Sequence, residues 1–210
     1  MHSYWNNRFS NGMVWGEKPS CTVNMAKEVF LNNQAKTILV PGAGYGRNTK
    51  VLSPTFEVDA IEISKNAIAI ALEEDKLTKF TEGSIFDMPF SNKKYDGIYC
   101  YNLLQLFRLK ERRLLIGKCI DQLTENGILF FTCFSNEDKS FGDGLEVEKN
   151  TFEYKPGKVA HFFSEEDLIH HFDTTEILET GSIDETLDYL DNTVRTYKLR
   201  YIICKKRLCI

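Results

Sequence analysis

The segment Ile38-Leu39-Val40-Pro41-Gly42-Ala43-Gly44-Tyr45-Gly46-Arg47-Asn48 constrains the fold of this chain more than any other. A short apolar run, read as a buried strand over 37–40 and closed by Pro41-Gly42, passes through alternate glycines into an expected helix over 47–52. Glycine tolerates positive φ and has no Cβ, so such a turn lets a ligand approach the backbone closely. The next strand is expected over 56–61, and Glu62 ends it, twenty residues beyond Gly42. A carboxylate there can accept hydrogen bonds from both hydroxyls of a ribose lying across the strand ends. In open α/β sheets, ligands bind at those carboxyl ends, where the strand order reverses.

The rest of the chain supports an α/β fold, because helical and extended patterns alternate along it. Helices are expected over 22–32, from an N-cap at Ser64 to 74, over 110–123, and after the capping-box-like Ser164-x-x-Asp167. Further strands are expected over 79–82, 96–100 and 127–134, the last preceded by a turn at Glu125-Asn126-Gly127. Two more are expected over 174–178 and 198–205, with the polar stretch 179–196 as a surface connection. The acidic, glycine-bearing stretch 135–157 has no clear periodicity and is too long for an ordinary connector, so it is a functional loop or an insertion.

With 210 residues, one domain over 1–210 is expected, with an N-terminal cap over 1–33 and a substrate-side insertion over 135–163. A net charge of −4 argues against general nucleic-acid binding, which needs a basic face. No apolar run approaches the roughly 20 residues that span a bilayer, and the first residues lack a signal-peptide core. The expectation is a cytoplasmic protein with a small-molecule partner, monomeric or weakly dimeric, with no membrane or nucleic-acid partner. The cysteines at 21, 100, 119, 133, 204 and 209 form no Cys-x-x-Cys and read as buried thiols rather than disulfides or a metal site.

Two ligand classes use a glycine turn of this kind. A dinucleotide site wants a third glycine at position 47 for tight helix packing, and Arg47 stands there instead. The Gly42-x-Gly44-x-Gly46 pattern favours S-adenosyl-L-methionine, which has no pyrophosphate to cradle. After the third strand comes Gly83-Ser84-Ile85-Phe86-Asp87-Met88-Pro89, where an adenine is expected to lie. There the Ile85 amide and the Ser84 side chain can meet the base edge, and Ile85 or Phe86 can cover a ring face. The fourth strand is expected to place Cys100, Tyr101 and Asn102 at the reactive centre, with Tyr101 as the candidate catalytic residue and Cys100 as a wall residue. Trp5, Phe9 and Trp15 read as an aromatic lid over the cofactor. His161, beside Phe162-Phe163, is a weaker pocket candidate, His170-His171 read as a solvated helix face, and Lys205-Lys206-Arg207 reads as a solvated tail.

Taken together, these motifs resemble the successive motifs of class I S-adenosylmethionine-dependent methyltransferases: Val40 to Asn48, Ile61-Glu62-Ile63-Ser64, and Gly83 to Pro89. The segment Tyr4-Trp5-x-x-Arg8-Phe9-x-x-Gly12-x-x-Trp15 is similar to the N-terminal segment of the thiopurine and tellurite-resistance (TehB-like) methyltransferases. The resemblance covers roughly 4–205. It implies a three-layer Rossmann-like fold with a seven-stranded, mostly parallel sheet whose last strand is antiparallel. It also implies that Pro41, Gly42 and Gly44 border the methionine moiety, Glu62 and Ile63 the ribose, and Ser84, Ile85 and Phe86 the adenine. Trp5 and Trp15 then close the site, and the product is S-adenosyl-L-homocysteine. The chain departs from both groups on the substrate side. Cys100-Tyr101 replaces the acidic-basic pair of the thiopurine group, and Asp188-Tyr189 stands where the tellurite group has His-Arg. A thiol or other soft nucleophile is the expected acceptor, because no histidine falls in the motif cluster to act as a base. A non-catalytic cofactor-binding module and a nicotinamide-dependent oxidoreductase stay open as alternatives.

Overall fold

The structure, a computed structural model, describes residues 2–89 and 91–207, so the thiol expected at Cys209 lies outside the described residues. Its centre is a seven-stranded sheet. In chain order the strands are β1 (Thr37–Pro41), β2 (Glu57–Glu62), β3 (Lys79–Glu82), β4 (Tyr95–Tyr101) and β5 (Leu123–Phe134). After them come β6 (Leu145–Glu148), β7 (Thr151–Lys155), β8 (Lys158–His161), β9 (Glu176–Asp188) and β10 (Val194–Lys205). The large sheet runs β3-β2-β1-β4-β5-β10-β9, and β6-β7-β8 form a separate antiparallel sheet. Strands β1 to β5 pair in parallel, and β10 lies antiparallel to both β5 and β9. The expected architecture, including the reversed last strand, is therefore present.

Alternation along the central strands builds two cores. Ile38 and Val40 of β1 face one side with Val58, Tyr99 and Phe130, where α2 (Cys21–Asn32) buries Val23, Ala26 and Phe30. Leu39 faces the other side with Ile98 and Phe131, covered by Leu115 and Cys119 of α5 (Leu109–Gln122) and Leu168 of α6 (Glu165–His171). Central parallel strands are covered on both faces, which explains their short, continuously apolar sequences. The strand order reverses between β1 and β4, so the carboxyl ends of these two strands open a crevice.

Several local expectations are corrected. The helix after the glycine turn is a single turn, α3 (Thr49–Leu52), because Gly46 and Arg47 belong to the loop. Glu125-Asn126-Gly127 is not a turn: β5 runs from Leu123, and the extra residues bulge where Tyr95 pairs Leu123 and Gly97 pairs Ile128. The polar stretch 179–196 is no surface connection, since most of it lies in the long β9–β10 hairpin. β9 is an edge strand burying only Glu185 and Leu187, so its sequence is largely polar. The stretch 135–157, expected as a functional loop or an insertion, carries β6 and β7. Arg200 of β10 pins it in place, donating to the Phe163 carbonyl (3.0 Å) and to Glu137 (2.9 Å). Cys21 is exposed, against expectation, whereas Cys100, Cys119, Cys133 and Cys204 are buried free thiols.

Candidate active site

Glu62 organises the crevice. It ends β2, is 6% exposed, and spends its two carboxylate oxygens on different turns. Oε2 accepts the Gly44 amide (2.9 Å) and Oε1 the Ser64 amide (2.8 Å). One carboxylate thereby sets both the glycine turn and the start of α4 (Lys65–Glu74), which Ser64 caps through the Ala67 amide. Burial pushes the Glu62 pKa up, and the amides of Ser64 and Gly44 pull against that rise. The amides of Gly42 and Ala43 both donate to the Ile61 carbonyl, which folds the turn back over β2. Gly42 and Gly44 have φ of +67° and +59°, and a Cβ on Gly44 would meet nothing nearer than Phe9 Cζ at 3.9 Å. The turn is thus a backbone cradle with open space above it.

A cavity of about 840 Å³ lies above this turn. Gly42, Gly44, Glu62 and Ile63 form its floor, and Ser84, Ile85 and Phe86 one end. Trp5, Phe9, Trp15, Tyr101 and Asn102 also line it, so most of the residues singled out from the sequence share one cavity. Pro41 and Cys100 do not line it. Pro41 is buried at the end of β1, and Cys100 sits at 0% exposure in the core beneath β4. Burial pushes the Cys100 thiol pKa well up, as expected of an inert core cysteine. The Ser84 hydroxyl accepts the Phe86 amide (3.2 Å) and caps a short helical turn over Ile85–Asp87.

The Tyr101 hydroxyl is fully engaged. It accepts from Arg47 Nη2 (3.0 Å) and donates to Glu185 Oε1 (3.0 Å). Burial raises its pKa well above the usual phenol range, so Tyr101 presents a ring, not a base. Arg47 and Glu185 are 7% and 3% exposed and approach to 4.0 Å. Arg47 also donates to the Lys18 carbonyl (3.0 Å), and Glu185 Oε2 accepts from Ser20 (2.6 Å). Sequence reading missed this network. Its members come from residues 18–20, the glycine loop, β4 and β9, and no local spacing links them.

Two covers close the cavity. Helix α1 (His2–Phe9) stacks Trp5 on Phe9 (6.0 Å), and Trp15 stacks on Tyr45 (6.4 Å) beside the glycine turn. Asn6 moors α1 to the start of α4: its Oδ1 accepts from Ser64 (3.1 Å), and its carbonyl accepts from the Asn66 side chain (2.8 Å). The second cover comes from the 135–163 insertion and the far half of the β9–β10 hairpin. Here Phe134 stacks between Phe162 (5.7 Å) and Tyr197 (5.5 Å). Lys158 of β8 lies 4.0 Å from the Tyr4 ring centroid, so the two covers touch.

No histidine lines the cavity. His161 is a core residue bonded to Thr151 (2.7 Å) and Asp167 (2.7 Å). His171 corrects the expectation of a solvated pair: it is buried, with its Nε2 accepting from Arg112 (3.1 Å), while His170 is exposed. The ligand atoms of His161, Asp167 and His171 lie within 4.8 Å of one another, but these side chains are already satisfied by each other, Thr151 and Arg112.

The sheet order and the crevice at the strand ends are those of the class I methyltransferase fold. Residues 39–131, which hold the glycine turn, Glu62 and the Ser84 loop, match the family described as Methyltransferase domain. No curated protein matches the sequence. Solved structures share the fold across nearly the whole chain. One is a SAM-dependent methyltransferase of Methanosarcina mazei, with TM-score 0.71, 19% identity, and 86% of this chain and 98% of that one covered. Another is the 1,6-didemethyltoxoflavin-N1-methyltransferase of Burkholderia thailandensis, with TM-score 0.73, 13% identity and coverage of 99% and 87%. TehB of Haemophilus influenzae is similar at TM-score 0.65 and 16% identity, covering 98% of this chain and 67% of that one. Among the described residues, no helix is long and apolar enough to cross a membrane.

Proposed function

We propose that this chain transfers a methyl group from S-adenosyl-L-methionine to a small-molecule acceptor that is itself nucleophilic, a thiol or another soft atom. The observation that carries the reading is the backbone cradle at Gly42–Gly44 beside the buried Glu62 carboxylate, opening into one covered cavity. The cradle fits the ligand, because a side chain at Gly44 would occupy space that an amino-acid tail needs. Once bound, S-adenosyl-L-methionine supplies an activated methyl group.

The chain's own residues supply position and dryness. Glu62 keeps lone pairs free beyond its two backbone bonds, and these accept the ribose hydroxyls. Ser84, Ile85 and Phe86 flank the adenine, and Trp5 and Trp15 cover the site from the α1 side. Holding the acceptor atom in line with the methyl group can lower the barrier by about 7–11 kcal/mol. The Tyr101 hydroxyl is committed to Arg47 and Glu185 and no histidine reaches the wall, which leaves the carboxylates of Glu111, Asp143 and Asp191 as its bases and favours an acceptor that needs none.

Purified protein incubated with S-adenosyl-L-methionine and a metabolite extract tests the reading. A metabolite heavier by one methylene, formed together with S-adenosyl-L-homocysteine, supports it. Tight cofactor binding without turnover across thiol, amine and hydroxyl acceptors would overturn it in favour of a non-catalytic binder.

A further inference from the structure

Arg8 comes from α1 and Arg195 from β10, so these two arginines of the cavity wall belong to the opposite covers. Both are exposed, and neither has a carboxylate within 4.0 Å among the described residues, whereas Arg47, the third arginine of the wall, has Glu185. Each guanidinium lies over an aromatic ring: Arg8 Cζ is 5.9 Å from the Trp15 centroid, and Arg195 Cζ is 5.3 Å from that of Tyr189. A guanidinium stacked in this way spends its face on the ring and keeps its N–H edge, which a carboxylate matches with two parallel hydrogen bonds. Burial and the Tyr197 hydroxyl raise the Tyr189 pKa, and Arg195 and Arg8 both pull against that rise, so two cations from separate covers face one hydroxyl. Like charges gathered this way repel one another, and an anion between them turns repulsion into attraction. Lys155 lines the same half of the cavity, and the acids there are Asp143 and Asp191. Arg195 acts on Asp191 without closing to an ion pair, and Asp191 Oδ1 already accepts from the Thr193 amide (3.0 Å) and hydroxyl (2.5 Å).

We propose that the methyl acceptor is an organic acid whose carboxylate sits between Arg8 and Arg195. The proposal rests on the methyltransferase reading above and narrows it to a class of acceptor. The carboxylate is an anchor, separate from the atom that is methylated. The body of the molecule lies against Phe134 and Phe162, which line the same cavity and carry no charge. Because one arginine belongs to each cover, the bound acid bridges α1 and the β9–β10 hairpin.

Matched probes test this by calorimetry on the full chain saturated with S-adenosyl-L-homocysteine, which fills the cofactor half of the cavity. The pairs are 1-naphthoate with 1-naphthamide, and indole-3-acetate with indole-3-acetamide. In the wild type at low salt, the acid of at least one pair should bind about tenfold tighter than its amide. High salt should shrink that preference, because the arginines are exposed. Arg8→Gln and Arg195→Gln should each cut it about threefold, with S-adenosyl-L-homocysteine affinity unchanged. Equal binding of acid and amide in both pairs, no binding by any probe, or a preference that survives both substitutions overturns the proposal. So does an Arg8→Gln protein that loses S-adenosyl-L-homocysteine affinity and keeps the acid preference, since Arg8 then holds the carboxylate of the cofactor. The wild-type comparison and its salt dependence stand even where a variant does not fold. Failure of S-adenosyl-L-homocysteine itself to bind, read before any probe is added, overturns the cofactor reading instead, and this proposal with it.

Discussion

Replacing Glu62 by glutamine separates the two tasks of that side chain. The carboxylate accepts the Gly44 amide on one oxygen and the Ser64 amide on the other. In Glu62→Gln one oxygen becomes an NH2 group facing a backbone N–H, so one charge-assisted bond is lost. Hydrogen bonds to charged groups contribute about 1.5–3 kcal/mol, which puts the stability loss near 2–3 kcal/mol. That corresponds to a melting point lower by about 4–12 °C for a chain of this size, well within what a folded domain survives. The ribose contact weakens separately, because a neutral amide replaces a charged acceptor. A loss of about 1–2 kcal/mol there means about 5–30-fold weaker binding. The assay is calorimetric titration with S-adenosyl-L-homocysteine at a temperature where the variant is fully folded. A folded Glu62→Gln protein that binds with wild-type affinity refutes the ribose assignment, and an unchanged melting point refutes its role in shaping the turn.

Four other perturbations follow from the same geometry. Gly44→Ala places a Cβ on a residue at φ +59°, costing about 1–2 kcal/mol of stability, and lowers cofactor affinity on the order of tenfold because the methyl enters the cradle. Glu185→Gln leaves Arg47 buried without its counter-charge, and denaturant titration should show a loss of about 3–5 kcal/mol. Both tryptophans of the chain line the cavity, so cofactor binding should change intrinsic fluorescence, with Trp5→Phe and Trp15→Phe each removing part of the signal. Burial lowers the pKa of His161 and His171, which face Asp167, Arg112 and each other, so in acid the unfolded chain takes up protons that the folded chain refuses. Melting temperature should therefore fall as pH drops from about 7 to about 5, and His161→Gln with His171→Gln should flatten the slope.

The parts of this fold that could be read in the sequence are those where local pattern and tertiary burial agree. β3 was expected over 79–82 and runs Lys79–Glu82, and Ser64 and Ser164 cap the helices they were expected to cap. The glycine turn and Glu62 were legible because their roles demand particular residues at particular spacing. β9 was hidden because an edge strand buries few side chains, and its Glu185 reads as surface although it is 3% exposed. The insertion sheet was hidden because β6, β7 and β8 have only four or five residues each, too few to show a period. Arg47 and Glu185 lie 138 positions apart and meet only through the sheet topology. Cys100 was misplaced by one residue of strand alternation, which sends Tyr101 to the cavity and Cys100 into the opposite core.

A crystal structure of the chain grown with S-adenosyl-L-homocysteine tests the central claim most directly. The account predicts density for the nucleoside with its ribose hydroxyls on Glu62, its base beside Ser84–Phe86, and its amino-acid tail over Gly44. A ligand bound elsewhere, or one whose sugar leaves the Glu62 carboxylate untouched, contradicts it.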